Sequence, residues 1–140
     1  MSNLSAFFAQ NVVKKKTDEF VVSEKFKEEN GEPVKWEIVS LTANEDEQLR
    51  NEHMIEIPNE SGFSIPKLDV GGYQAALVAK CVKWPNLNNA ELQDSYGVCG
   101  AEELLLTMLD PGEYMKLLSR VQKLNGLDIK LSDLVDQAKN

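Results

Sequence analysis

Few residues in this chain have side chains suited to catalysis or metal binding. His53 is the only histidine among 140 residues. A histidine metal site needs further ligands, such as a second imidazole four residues along the same helix face. None is present, so His53 reads as a surface or capping residue that closes a charged helix and faces its negative end. Cys81 and Cys99 are the only cysteines. Two are too few for a disulfide framework, and they suit a reducing or redox-indifferent compartment. Cys99 precedes Gly100 and a helix start, where the helix dipole would favour a thiolate. Nucleophilic use would also need a base such as His53 folded against it. No spacing signals that pairing, so packing is the favoured role. Cys81 falls on an apolar helix face and reads as core.

Glu102 with Glu103, and Asp110 with Glu113, are acidic pairs that could do acid–base work or hold a hard cation. All four lie in first turns of expected helices, where negative charge is favoured in any case. Gly71-Gly72 and the run Gly97-Val98-Cys99-Gly100 do not match a phosphate-binding loop, which needs a GxGxxG after a strand or a GK[ST]. Lys14, Lys15 and Lys16 form a short basic run that reads as solvated loop. No catalytic residue, metal or cofactor is expected.

The elements that would position these residues follow from caps and periodicity. Leu4, Phe7 and Phe8 fall on one face of a short helix capped by Ser2 or Asn3. Such a helix is too short to persist unless docked. Residues 19–40 read as a β-hairpin with Asn30-Gly31 at its turn and Trp36 and Ile38 facing inward. Thr42 and Glu45 make a capping box for a short charged helix to about Glu52, anchored by Leu49. Ile55 and Ile57, then Phe63 and Ile65, alternate on short strands interrupted by Pro58 and Pro66, with Asn59, Ser61 and Gly62 at the turn.

From Asp69 the pattern becomes helical. One helix is expected to run from Asp69 to about Trp84, with Val70, Tyr73, Leu77, Cys81 and Trp84 on one face and Pro85 ending it. Asn89 caps a short helix stopped by Gly97. A helix follows Gly100, and Asp110-Pro111-Gly112-Glu113 opens a longer one with Tyr114, Leu117, Leu118, Val121 and Leu124 inward and Gly126 as its stop. Ser132 caps a last helix carrying Leu134, Val135 and Ala138. The expected fold class is α+β: an N-terminal β-hairpin region with short helices, then a C-terminal all-helical, bundle-like lobe. No linker divides them, so residues 1–140 read as a single domain with a mixed lobe, 1–68, and a helical lobe, 69–140. Trp36, Tyr73, Leu77, Leu117 and Val121 are expected in the core.

Lysine and arginine number 15 against 23 acids, a formal charge of −8. That disfavours nucleic acid and anionic membranes as partners. No run is apolar enough to cross a bilayer, and the basic run follows rather than precedes the apolar N-terminus, so no signal peptide is read and a cytoplasmic location is expected. Two apolar groups stay ambiguous. Leu104, Leu105 and Leu106, with Met108 and Leu109, cannot all share one helix face. They are either sandwiched in the core, the favoured reading, or partly cover another chain. Leu4, Phe7 and Phe8 divide about evenly between the same alternatives, because termini seldom anchor a core.

Three stretches carry a family resemblance: LSAFFAQNV with EFVVSEKFKEENGEPVKWEI, then CVKWPNLNNAELQDSYGV, then GAEELLLTMLDPGEYMKLLSRVQKLNG. Together they resemble the XkdN-like family of phage tail assembly chaperones of Gram-positive phages and phage-like prophage elements. Residues 41–68 carry least of the likeness. The resemblance implies a non-enzymatic chaperone, working in the bacterial host cytoplasm, that coats the tail tape measure protein. It would keep that protein soluble, recruit tail tube protein and leave before the tail is complete. Leu4, Phe7 and Phe8 are the candidate partner-binding residues, for the tape measure or for a second copy in a homo-oligomer. Two readings from other classes remain: a permanent tail or tail completion component, and a small enzyme using Cys99.

Overall fold

The computed structural model describes residues 3–13 and 16–127. The expected helix around Ser132 lies outside them, as do Lys14 and Lys15. Alternation in the first strands produces the expected sheet. β1 (Thr17–Val21) pairs antiparallel with β2 (Lys35–Val39), placing Phe20 opposite Trp36 and Asp18 opposite Ile38. Trp36 and Ile38 are buried, whereas Lys35 is exposed. The Asn30-Gly31 pair marks the turn, but as part of a longer excursion. The Gly31 N–H donates to Glu28 O at 2.9 Å, Gly31 has φ +87°, and Lys27 pairs with Pro33 across the loop. A left-handed glycine after such a turn closes a three-residue hairpin loop rather than the tightest two-residue kind.

α1 (Ala43–Glu52) starts at the capping box: Glu45 N–H donates to Thr42 Oγ1 and Thr42 N–H to Glu45 Oε1. β3 (Met54–Pro58) and β4 (Ser64–Leu68) then form a separate two-stranded ribbon. Asp69 caps α2 (Val70–Cys81), accepting from the Gly72 N–H. α2 is the central element. Tyr73, Ala76, Leu77, Val78 and Cys81 are buried, and it packs on α1, α4 and α5.

α2 ends earlier than its periodicity predicts. Val82–Trp84 is not helical but forms β5, the third strand of the sheet in the order β1-β2-β5, antiparallel to β2. Trp84 precedes Pro85, and a residue before proline is driven out of the helical region. The open edge of β2 accepts the extended segment, and Val82 is buried there. Trp84, expected on the inner helix face, is therefore exposed; Val70, at the other end of α2, is exposed too, and among the described residues the C-terminal part is helical apart from this strand.

α3 (Ala90–Ser95) is capped by Asn89 and stopped at Gly97, whose φ of +68° is the left-handed stop expected of a helix-ending glycine. α4 (Ala101–Met108) and α5 (Pro111–Leu124) follow, α5 with its own Asp110–Glu113 capping box. Leu104, Leu105, Met108, Leu117, Leu118 and Val121 join Trp36, Ile38 and Leu77 in one continuous hydrophobic cluster. The chain is mixed α+β, with strands mainly N-terminal and helices mainly C-terminal.

Candidate partner-binding surface

The residues singled out for chemistry divide between structural contacts and open solvent. His53 is the C-cap of α1, and its Nδ1 lies 2.7 Å from Leu49 O. Cys81 is buried, with Asn125 Nδ2 at 3.5 Å from its sulfur, whereas Cys99 is exposed in the turn before α4. Glu102 and Glu103 sit exposed in the first turn of α4. Asp110 and Glu113 complete the α5 cap and meet Lys25, whose Nζ lies 3.2 and 3.3 Å from their carboxylates and donates to Met108 O at 2.9 Å. The Glu113 carboxyl is held below its ordinary range by the Ser23 hydroxyl, the Asp110 N–H and Lys25. Among the described residues no group of three His, Cys, Asp or Glu side chains is placed to hold a metal ion.

Two further polar groups tie elements together. Arg120 of α5 grips Asp18 of β1 with two hydrogen bonds, 2.8 and 3.0 Å, and lies 4.1 Å from the Phe20 ring centroid. The Tyr73 hydroxyl donates to Asp46, which also receives Arg50 at 2.9 Å. Burial and then the bond to Asp46 push the Tyr73 hydroxyl up to about 12. Both arrangements join neighbouring elements.

Exposed apolar side chains cluster in two places along the chain. The N-terminal segment forms two 3₁₀ turns, Leu4–Phe7 and Ala9–Asn11, instead of one α-helix. Asn3 supplies a cap, accepting from the Ser5 N–H at 3.2 Å, while Ser2 lies outside the described residues. Three residues per turn bring Leu4 and Phe7 onto one face. Phe7 is 71% exposed, Leu4 69% and Phe8 47%. Among the described residues, the hydrogen bonds of residues 3–11 close within the segment. By contrast, the ambiguous run in α4 resolves as mainly core: Leu104 and Leu105 are buried and Leu106 alone faces out.

The second place is the β3–β4 ribbon, whose strands were legible but whose exposure was not. Ile57 stands opposite Ile65, and Ile55 opposite Lys67. Directly opposed residues share a face, so Ile55, Ile57, Ile65 and Phe63 line one side. Phe63 is 72% exposed, Ile65 49% and Ile55 45%. Asn59 N–H donates to Phe63 O and Asp69 N–H to His53 O. The hydrogen-bonded pairs therefore fall at odd positions, and the backbone groups of even positions point outward. Pro58 and Pro66 are even, so each removes a donor from an outer edge and blunts strand addition there. What the ribbon offers is its face.

A profile of the phage XkdN-like tail assembly chaperone proteins matches residues 4–139. The chain belongs to this family. It is 24% identical over 139 residues to the Bacillus subtilis (strain 168) protein YqbN, covering 99% of this chain and 93% of that one. It is 21% identical to the phage-like element PBSX protein XkdN of the same strain, covering 99% and 94%. The crystal structure of YqbN superposes with a TM-score of 0.76 at 21% identity, over 91% of this chain and 99% of that one, which shows a shared fold. As a member of a tail assembly chaperone family the chain acts with phage tail proteins. No helix among the described residues is long and apolar enough to cross a membrane.

Proposed function

We propose that this XkdN-like chaperone binds the tail tape measure protein, keeps it soluble, and recruits tail tube subunits to it. The chain works as one unit, residues 1–140, in the cytoplasm of the bacterial host, without a catalytic step. The observation that carries the reading is the exposure of Leu4, Phe7 and Phe8 together on a terminal segment. Removing each Phe ring from water contributes roughly 1.5–3 kcal/mol. A partner that covers both rings would be held firmly, and the 3₁₀ turns would be ordered by the contact. The acidic, net −8 chain suits holding an apolar client in solution.

Co-expression with the tape measure protein of the same phage or prophage element tests this. The wild-type chain should raise the soluble fraction of the tape measure protein and co-purify with it. Phe7→Ala with Phe8→Ala should stay folded and lose that co-purification. A tape measure protein equally insoluble with and without the wild-type chain would overturn the reading.

A further inference from the structure

β1 is an edge strand of the three-stranded sheet, with β2 on one side only. The Ser40 N–H donates to Lys16 O at 2.9 Å, one step beyond the Thr17–Val39 pair. The hydrogen-bonded pairs with β2 therefore fall at even positions of β1, and Thr17, Glu19 and Val21 turn their N–H and C=O groups outward. Lys116 of α5 marks the end of this run, its Nζ donating to Val21 O at 3.1 Å. Among the described residues the outward groups of Thr17 and Glu19 have no partner. The other strand edges differ. Pro58 and Pro66 blunt the ribbon, and β5 is three residues long and ends against Pro85. An edge of free main-chain groups is a template for one more strand.

Charge selects what that strand carries. Glu19 stands directly opposite Glu37, so the two carboxylates share the outer face of the sheet. Lys83 pairs with Glu37 at 3.8 Å, and no cation among the described residues reaches Glu19. Like charges directly opposed cost stability, and a cationic side chain on the open side of Glu19 would offset that cost. The neighbouring Asp18 points to the other face and is already held by Arg120. A second copy of β1 fits poorly. The antiparallel register that uses all three outward positions of both strands sets Glu19 against Glu19.

We propose that the outer edge of β1 receives an extended segment of a partner protein, with a lysine or arginine opposite Glu19. The added strand runs antiparallel to β1, the more stable arrangement. Its main chain supplies affinity, and the pairing with Glu19 supplies selectivity. The site uses none of Leu4, Phe7 and Phe8 and is a second interaction surface beside them.

NMR titration of the full-length protein with the acetylated, amidated peptide Thr-Val-Lys-Val-Thr tests it, against the same peptide with Glu in place of Lys. The lysine peptide should shift the amides of Thr17, Glu19 and Val21, while those of Asp18 and Phe20, already bonded to β2, move less. It should bind about fivefold more tightly than the glutamate peptide at low salt, and the gap should close in about 1 M salt. Glu19→Pro removes the central outward donor without touching the pairing with β2, and should weaken binding on the order of tenfold. Glu19→Lys keeps the edge and should reverse the preference towards the glutamate peptide.

No shift at about 1 mM peptide would overturn the proposal. So would equal binding of the two peptides, or a Glu19→Pro variant that binds as wild type does. Shifts of the same amides on concentrating the protein alone, with a dimer in sedimentation, would assign the edge to a second copy and overturn it too. Should Glu19→Pro fail to fold by circular dichroism, Glu19→Lys carries the test, and an unreversed preference rejects the contact. The titration contains no tape measure protein, so its failure leaves the proposed function standing.

Discussion

α4 and the β3–β4 ribbon are comparably apolar in sequence, yet one is core and the other stands in solvent. In α4, Leu104, Leu105 and Met108 recur at helical spacing and meet α2, so only Leu106 is left outside. In the ribbon, Ile55, Ile57 and Ile65 also recur regularly, on one face of a sheet, but among the described residues no third layer covers them. Apolar content therefore does not distinguish structure from docking surface. What distinguishes them is whether the chain returns to cover the face. The N-terminal segment falls on the ribbon's side of this divide, with its Phe rings exposed and, among the described residues, its hydrogen bonds internal.

The contrast can be broken most forcefully in the core. Leu105→Ala should cost about 2–5 kcal/mol and lower Tm by several degrees, because it opens a cavity in a face that is fully buried. Denaturant unfolding followed by circular dichroism reads this, and a near-neutral result would mean α4 is not core. A smaller effect is expected where α5 is tied to the sheet. Arg120→Ala removes two bonds to Asp18 and the stacking on Phe20 at a partly exposed site, at a cost of about 1 kcal/mol.

Tyr73→Phe should cost a comparable amount, about 1 kcal/mol, for the hydrogen bond to Asp46, with a pH signature. The folded-state pKa of Tyr73 is raised to about 12 from an ordinary 10. The folded state thus holds this proton more tightly than the unfolded one. The linked stability is fully present below pH 10 and is lost as pH rises from 10 towards 12. Unfolding across that range should show a steeper loss for wild type than for Tyr73→Phe. Identical profiles would place the linkage elsewhere.

The smallest effect on stability is expected at the exposed positions. Leu106→Ala, one residue from Leu105, and Phe7→Ala/Phe8→Ala should each shift stability by less than about 0.5 kcal/mol. A large loss at either would move that residue into the core side of the comparison.

Sequence carried the locally determined parts of this fold. The capping residues Thr42, Asp69, Asn89 and Asp110 start helices where they were expected, because a cap is a bond between near neighbours. Trp36 and Ile38 were legible from alternation alone. β5 was not, because its pairing with β2 joins residues far apart in the chain, while apolar spacing continued the helix pattern through to Trp84. The N-terminal patch was visible in Leu4, Phe7 and Phe8. Its exposed counterpart on the ribbon was not, since alternating isoleucines read alike whether or not something covers them. Only the pairing register, with prolines on the outward positions, reveals the ribbon as an open face.

Hydrogen exchange read by mass spectrometry, with the full-length chain alone and in complex with its tape measure protein, tests the division between core and docking surface most directly. Amides of residues 3–13 and 54–68 should exchange quickly in the free chain, and those of 3–13 should gain protection in the complex, while α2, α4 and α5 stay protected and unchanged throughout. Protection gained instead in α4 or α5, or no gain at residues 3–13, would contradict it.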